Sequence, residues 1–187
     1  MTHPALTTQI SRRKALRATV GGLVAAAAPS VAWGAVGREN AVRFLSFEHL
    51  HTGETLSVPY WEKRRYLPDA LAEIDTLLRD FRTGEKARMD RALLDFLFRL
   101  HVRLESSEPF HIISAYRSPR TNANLASRSR NVSRRSYHMD GMAIDVRLPD
   151  RRLRDVRRVA LDLKLGGVGY YRRSNFVHLD TGRVRFW

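Results

Sequence analysis

The chain contains no cysteine. Disulfides, thiolate nucleophiles and thiolate metal ligands are therefore excluded, and any metal must be held by His, Asp or Glu. Acidic residues are scarce, with 19 Asp and Glu against 33 Lys and Arg and a formal charge of +14. So large a positive balance favours anionic surroundings, whether nucleic acid, acidic lipid or an anionic cell wall. No internal repeat is visible, and the apolar, small-residue run from Ala18 to Ala28 is too short to span a bilayer core of roughly 30 Å. What is present is ordinary for a folded chain. With 187 residues, 43% hydrophobic and 28% charged, the length and composition fit one domain with a core of its own.

The first 34 residues read as an export signal rather than as part of that domain, which is expected to occupy residues 35–187. Ser11-Arg12-Arg13-Lys14-Ala15-Leu16 precedes the apolar run, and Pro29 and Ala32-Trp33-Gly34 follow it. A basic segment, a short apolar segment and small residues form a secretory layout. The paired arginines resemble the twin-arginine signal, with Ala15 where that signal usually has Phe. Removing Arg12, Arg13, Lys14 and Arg17 from a charge of +14 leaves +10 on the remaining chain. Export to the periplasm makes nucleic acid the least fitting partner, and neither a permanent membrane anchor nor an oligomer is expected.

The rest of the chain predicts an α+β domain. "AVRFLSFEHLHTGETLSVPYW" reads as a β-hairpin turning at "HTGE". From Pro68, Leu71, Ile74, Leu77, Leu78 and Phe81 follow helical spacing, and a second helix is expected over 89–104 through Leu93, Leu94, Leu97 and Leu100. "FHIISAYRS" is a short strand, and Ser118-Pro119 is a good start for a short helix. Residues 127–136 form an arginine-laden loop. "MAIDVRL" after Gly141 is a strand, a basic helix covers about 151–164, and "FVHLDTGRVRFW" suggests a terminal hairpin turning at Thr181-Gly182.

Two histidines stand where ligands could converge. His138 lies seven residues before Asp145, an aspartate in an otherwise apolar strand, where it is costly to bury without a positive partner. In "VHLD", alternation puts His178 and Asp180 on one strand face and Val177 and Leu179 on the other. His138, Asp145 and His178 together would suit Zn²⁺ with one position open. On residue types alone the alternatives stay open: Asp145 could pair with an arginine, and His178 could be a satisfied core histidine.

Longer motifs carry a family resemblance. "SYHMDGMAID", Ser136 to Asp145, resembles the Ser-x-His-x-x-Gly-x-Ala-x-Asp pattern of the zinc D-Ala-D-Ala metallopeptidases and their LAS relatives. "SAYRS" with Asn122 and Asn124 is similar to that family's Gly-Tyr-Arg-Ser segment, with Ala115 in place of the glycine. "GGVGYYRRSNFVHLDTGRVRFW" and "HTGE" resemble the family's murein endopeptidases. The resemblance implies a small antiparallel sheet carrying a zinc site with helices packed on it, as in hedgehog and D-Ala-D-Ala peptidase folds. It implies zinc ligands at His138, Asp145 and His178, substrate contacts at Arg117 and Ser136, and catalytic help from Arg117. Peptidoglycan stem peptides or their cross-links become the substrate, with endo- and carboxypeptidase action both open.

One departure matters. Many members carry a glutamate as general base three residues before the last histidine, and Asn175 stands here. Asp180, on the strand face of His178, is the replacement expected, with a second-shell role as its alternative; His51 and Glu54 are remoter candidates. Asn175 also keeps open a zinc-retaining, non-catalytic cell-wall binding module. The loop Arg128 to Arg135 is a further candidate for gripping the polymer.

Overall fold

The computed structural model describes residues 42–129 and 132–187, so the expected export segment at 1–34 lies outside the described residues. The chain opens with β1 (Arg43–His49) and β2 (Thr55–Glu62), an antiparallel hairpin closed where the His49 N–H donates to the Glu54 carbonyl at 2.8 Å. Its turn falls at the expected "HTGE". A second, unforeseen hairpin adds β3 (Arg65–Tyr66) through Lys63 and Arg64, both at positive φ. Then come α1 (Pro68–Leu77), α2 (Arg91–Leu104), β4 (Phe110–Ser114), α3 (Pro119–Arg128), β5 (Ala143–Arg147), α4 (Leu153–Leu163), β6 (Gly167–Tyr171), β7 (Phe176–Asp180) and β8 (Arg185–Phe186).

The helix boundaries have local causes. Pro68 opens α1 at a position where its missing N–H costs nothing. Asp90 caps α2 by accepting from the Ala92 N–H at 3.0 Å, and Ser118 caps α3 by accepting from the Thr121 N–H at 3.2 Å. Helix α1 stops before Phe81, which the helical spacing had included.

The α+β class is as expected, but the sheet is larger and mixed. Eight strands run in the order β3-β2-β1-β4-β5-β7-β6-β8, with β1–β4 and β6–β8 parallel. The strands around the candidate site, β4, β5, β7 and β6, are mutually antiparallel. The terminal hairpin expected at Thr181-Gly182 does not form. Both edges of β7 are already taken by β5 and β6, so the tail pairs with the free edge of β6 instead.

One apolar core joins α1, α2 and α4 to the sheet through Ile74, Leu97, Leu100, Val156 and Ala160, meeting Phe47, Ile112, Ile144, Val146, Val177 and Leu179. Helix α3 adds nothing to that cluster; its buried residues are Thr121 and Asn122. Alternation then has a consequence for chemistry. If Ile144, Val146, Val177 and Leu179 face the core, Asp145, His178 and Asp180 must occupy the other face of β5 and β7. In the register, Asp145 lies opposite His178, and Ala143 opposite Asp180. Among the described residues, no helix is long and apolar enough to cross a membrane.

Candidate metal centre

The third member of the site comes from outside the sheet. Residues Tyr137–Asp140 form a single 3-10 turn, begun by Ser136, whose hydroxyl accepts from the His138 N–H at 3.4 Å. The turn ends at Gly141, with φ of 68°, where a side chain would also run into the Arg88 carbonyl. Glycine is thus required twice over. This turn lowers His138 onto the polar face of β5 and β7.

His138 Nε2, Asp145 Oδ1 and His178 Nδ1 all lie within 4.8 Å of one another. The separations are 3.2 Å between the two ring nitrogens, 2.9 Å from His178 to the carboxylate and 3.4 Å from His138 to it. All three residues are buried. The far sides of both rings decide what these atoms are. His138 Nδ1 lies 2.7 Å from the Ala115 carbonyl, which only accepts, so the ring hydrogen is there and Nε2 carries a lone pair. His178 Nε2 lies 3.0 Å from Asp180 Oδ2, which locks its hydrogen outward and turns the Nδ1 lone pair inward.

With both rings in these neutral tautomers three lone pairs converge, an arrangement that calls for a cation. The titration behaviour carries the same demand. Burial lowers the pKa of His138, which keeps it neutral. Burial also lowers that of His178, but Asp145 and Asp180 on either side outweigh it and lift the value to about 9, so that without a metal a proton on Nδ1, facing Asp145, takes the cation's place. For Asp145 burial pushes upward, yet the two histidines hold the carboxyl well below the usual carboxylate range. A donor set of two imidazoles and one carboxylate fits zinc and leaves room for a further ligand.

The centre opens on a groove of about 620 Å³ lined by Arg117, Arg135, Ser136, Tyr171, Phe176 and Trp187, among others. Arg117 is buried beside Asp145. Its Nη2 is 3.4 Å from both Asp145 Oδ2 and Ser114 Oγ, and its Nη1 is 3.5 Å from Asn122 Oδ1. Those contacts are long for hydrogen bonds, and Nε has no partner among the described residues, so donor capacity remains for another acceptor. Asn122 also donates to the Ser133 carbonyl at 3.0 Å, tying α3 to the arginine-rich loop. Of that loop, Ser129, Val132, Ser133 and Arg135 line the groove; Arg130 lies outside the described residues.

Asp180 is not placed as the proton acceptor the sequence suggested. It is fully buried behind the His178 ring, on the side away from Nδ1. Its oxygens already accept from Gly167 N, Gly182 N, both terminal nitrogens of Arg185 and His178 Nε2. A carboxylate so engaged orients the imidazole. Burial raises its pKa, but His178 and Arg185 hold it well below the usual carboxylate range. Asn175 sits in a left-handed turn between β6 and β7, at φ of 53°, on a separate groove with Arg152, Arg154 and Arg172. Asparagine tolerates that backbone better than glutamate does.

The remoter candidates stay apart from the centre. Glu54 pairs with Arg79 at 3.0 Å, and His51 stacks on Phe81 at 4.3 Å between ring centroids. Neither lines the groove. The residues that sequence reasoning missed are the Ala115 carbonyl, Arg185 and the aromatic wall of Tyr171, Phe176 and Trp187. A faint signal existed: Arg185 and Trp187 share one strand face, and Gly167 and Gly169 alternate on β6.

The family model described as peptidoglycan L,D-endopeptidase MepK matches residues 38–187. The protein of that name from Escherichia coli strain K12 is 40% identical over 177 residues, covering 95% of this chain and 97% of its own length. The Shigella flexneri protein of the same name matches to the same extent, at 40% over 177 residues. A probable peptidoglycan L,D-endopeptidase MepK from Haemophilus influenzae is 40% identical over 146 residues, 78% of each chain.

Proposed function

The chain belongs to the MepK family of peptidoglycan L,D-endopeptidases, and from that membership we propose that it is a zinc peptidase cutting L,D amide bonds in peptidoglycan peptides. The observation that carries the zinc reading is the meeting of three inward lone pairs, on His138 Nε2, Asp145 Oδ1 and His178 Nδ1, with both ring hydrogens directed outward. Zinc supplies Lewis acidity there: a water activated near neutral pH and a polarised scissile carbonyl.

The chain's own residues do the rest. The Ala115 carbonyl and Asp180 hold the two imidazoles in the tautomers that ligation needs. Arg117, with its unpartnered Nε, offers donors to a carbonyl oxygen as it becomes anionic, in a buried setting where such bonds are strong. Arg135 on the groove suits the carboxylates of a stem peptide, and the aromatic wall shelters the bond from water. Ser136 chiefly starts the turn that carries His138. The loop 128–135, with its four arginines, adds grip on the anionic polymer. Residues 1–34 would deliver the protein to the periplasm by the twin-arginine route; export of a 1–34 reporter fusion with that route blocked would refute this.

A second reading has one observation in its favour. Among the described residues lining the groove, Asp145 is the only carboxylate, which suits a zinc-retaining module that binds the wall without cutting it. Incubation with defined cross-linked muropeptides, with and without a chelator, decides between them by product mass. Chelator-sensitive cleavage at an L,D bond is expected. Binding without cleavage by the zinc-loaded protein would select the module instead.

A further inference from the structure

We propose that Arg185, on the last strand, β8, is a positioning residue for the metal centre, acting through Asp180 on His178. The proposal rests on the zinc reading above.

The connection is continuous. Arg185 Nη1 donates to Asp180 Oδ1 at 2.9 Å and Nη2 to Asp180 Oδ2 at 2.8 Å, a two-pronged fork. Asp180 Oδ2 in turn receives His178 Nε2 at 3.0 Å. A carboxylate with no exposed surface is held in one orientation only by fixed donors, and the planar guanidinium supplies two in a rigid frame. That orientation keeps the Nε2–H of His178 directed away from the centre and its Nδ1 directed into it.

The fold is shaped to admit this side chain. Strand β8 pairs in parallel with β6, Gly167 opposite Arg185, so Arg185 must cross β6 to reach Asp180. It crosses over Gly167, where an added Cβ would collide with both Arg185 Nη1 and the Asp180 carboxylate. One step along the same face, Trp187 lies over Gly169, where a Cβ would meet the indole at 2.8 Å. The indole is held by its Nε1–H donating to Tyr171 Oη at 2.9 Å, with its ring 5.3 Å from that of His178. A lane of two glycines on β6 thus carries the last strand's side chains to the back of the site.

Arg185 also reaches the other ligand's support. Its guanidinium lies 5.4 Å from the ring of Tyr137, the first residue of the turn that bears His138, and 4.9 Å from the ring of Trp187. One side chain therefore braces the partner of His178 and the base of the His138 turn.

Arg185 lines the groove as well, so the competing role is direct contact with substrate. The test uses the full chain, stripped of metal and titrated with zinc against a chromogenic chelator, alongside muropeptide kinetics. Arg185→Gln is expected to weaken zinc binding about 10- to 100-fold, the usual effect of losing such a supporting partner, and to lower kcat more than it raises KM. Arg185→Lys, which keeps the charge without the fork, falls between. Gly167→Ala crowds the same ion pair from β6 and is also expected to weaken zinc, which gives a readout should Arg185→Gln fail to fold. Zinc affinity within twofold of wild type in either variant, with KM raised in Arg185→Gln, would overturn the proposal in favour of a substrate contact. A wild-type protein that takes up no zinc would remove the zinc reading itself, and this proposal with it.

Discussion

Two aspartate clusters, one gathered from β1, β2 and β3 and the other on β5 and β7, differ in their chemistry. On α2, Asp95 accepts from Arg43 at 2.8 Å, Tyr60 at 2.9 Å and Tyr66 at 2.9 Å, so that β1, β2 and β3 each send a donor to one carboxylate. Burial, helped by Asp95, pushes both phenols up, Tyr66 to about 12, so they remain donors throughout the working pH range. Every donor there finds an acceptor, Arg43 and Tyr60 on Oδ1 and Tyr66 on Oδ2. Around Asp145 the balance fails, because with both rings neutral two imidazole lone pairs join the carboxylate, and only an added cation or a proton on His178 answers them. A brace is recognised by its satisfied polar atoms, and a site by the charge it still requires.

Removing one side of that contrast should have the largest effect. His138→Ala takes away a ligand and is expected to lower kcat/KM on muropeptide by on the order of a thousand-fold or more, since metal assistance is worth several kcal/mol in the transition state. Circular dichroism should report a folded protein, and full activity in this variant would exclude the centre.

Next in size is the coupling of metal to stability. At zinc a hundredfold above its Kd the wild type should gain about 2.7 kcal/mol, seen as a higher melting temperature that chelator reverses. Asp145→Asn should lose this response, whereas Asp95→Ala should keep it. A chelator shift that persists in Asp145→Asn would break the distinction between the clusters.

The brace itself is open to a complementary change. Asp95→Ala leaves the Tyr60 hydroxyl without its acceptor, and denaturant unfolding is expected to register a loss of about 1–3 kcal/mol. Zinc affinity and kcat at 25 °C should not move, because the cluster joins strands remote from the groove.

A third carboxylate, Asp80, gives the smallest effect and extends the donor-satisfied class. Its oxygens accept from Ser118 N at 2.9 Å and Arg82 N at 3.0 Å, which anchors the segment that carries Arg117. Burial pushes its pKa up, but these bonds and those of the Thr121 and Ser118 hydroxyls bring it down to about 2 from 3.8. A depressed folded value means that the stabilisation is present above pH 3.8 and is lost as pH falls through about 2. Acid unfolding of Asp80→Asn should lack this component; an unchanged acid slope would count against it.

Much of the fold was legible because its signals are local. Leu93, Leu94, Leu97 and Leu100 recur at helical spacing, and all four are buried on α2. Ser118 was readable as a helix start, and it caps α3. The candidate ligands were legible for different reasons: period-two alternation puts Asp145 and His178 on the face away from Ile144 and Val177, whereas His138, on a turn outside the sheet, was legible through the family motif. The terminal strand was not legible. "FVHLDTGRVRFW" has a hairpin's local pattern, and only the occupation of both edges of β7 sends Arg185 and Trp187 to β6 instead.

Sequence by itself narrowed which atoms could bind a cation: with no cysteine they had to come from His, Asp or Glu, alternation put Asp145 and His178 on the polar faces of two apolar strands, and the family resemblance added His138. It also determined the glycines, since only a residue without a side chain fits the backbone at Gly141 and the crossing at Gly167. Tertiary structure alone decided the role of Asp180. Strand alternation places it beside His178 on one face, but says nothing of which ring nitrogen it meets or whether solvent reaches it. Those depend on Arg185 arriving over Gly167 from the last strand, a contact between side chains that no spacing along β7 encodes.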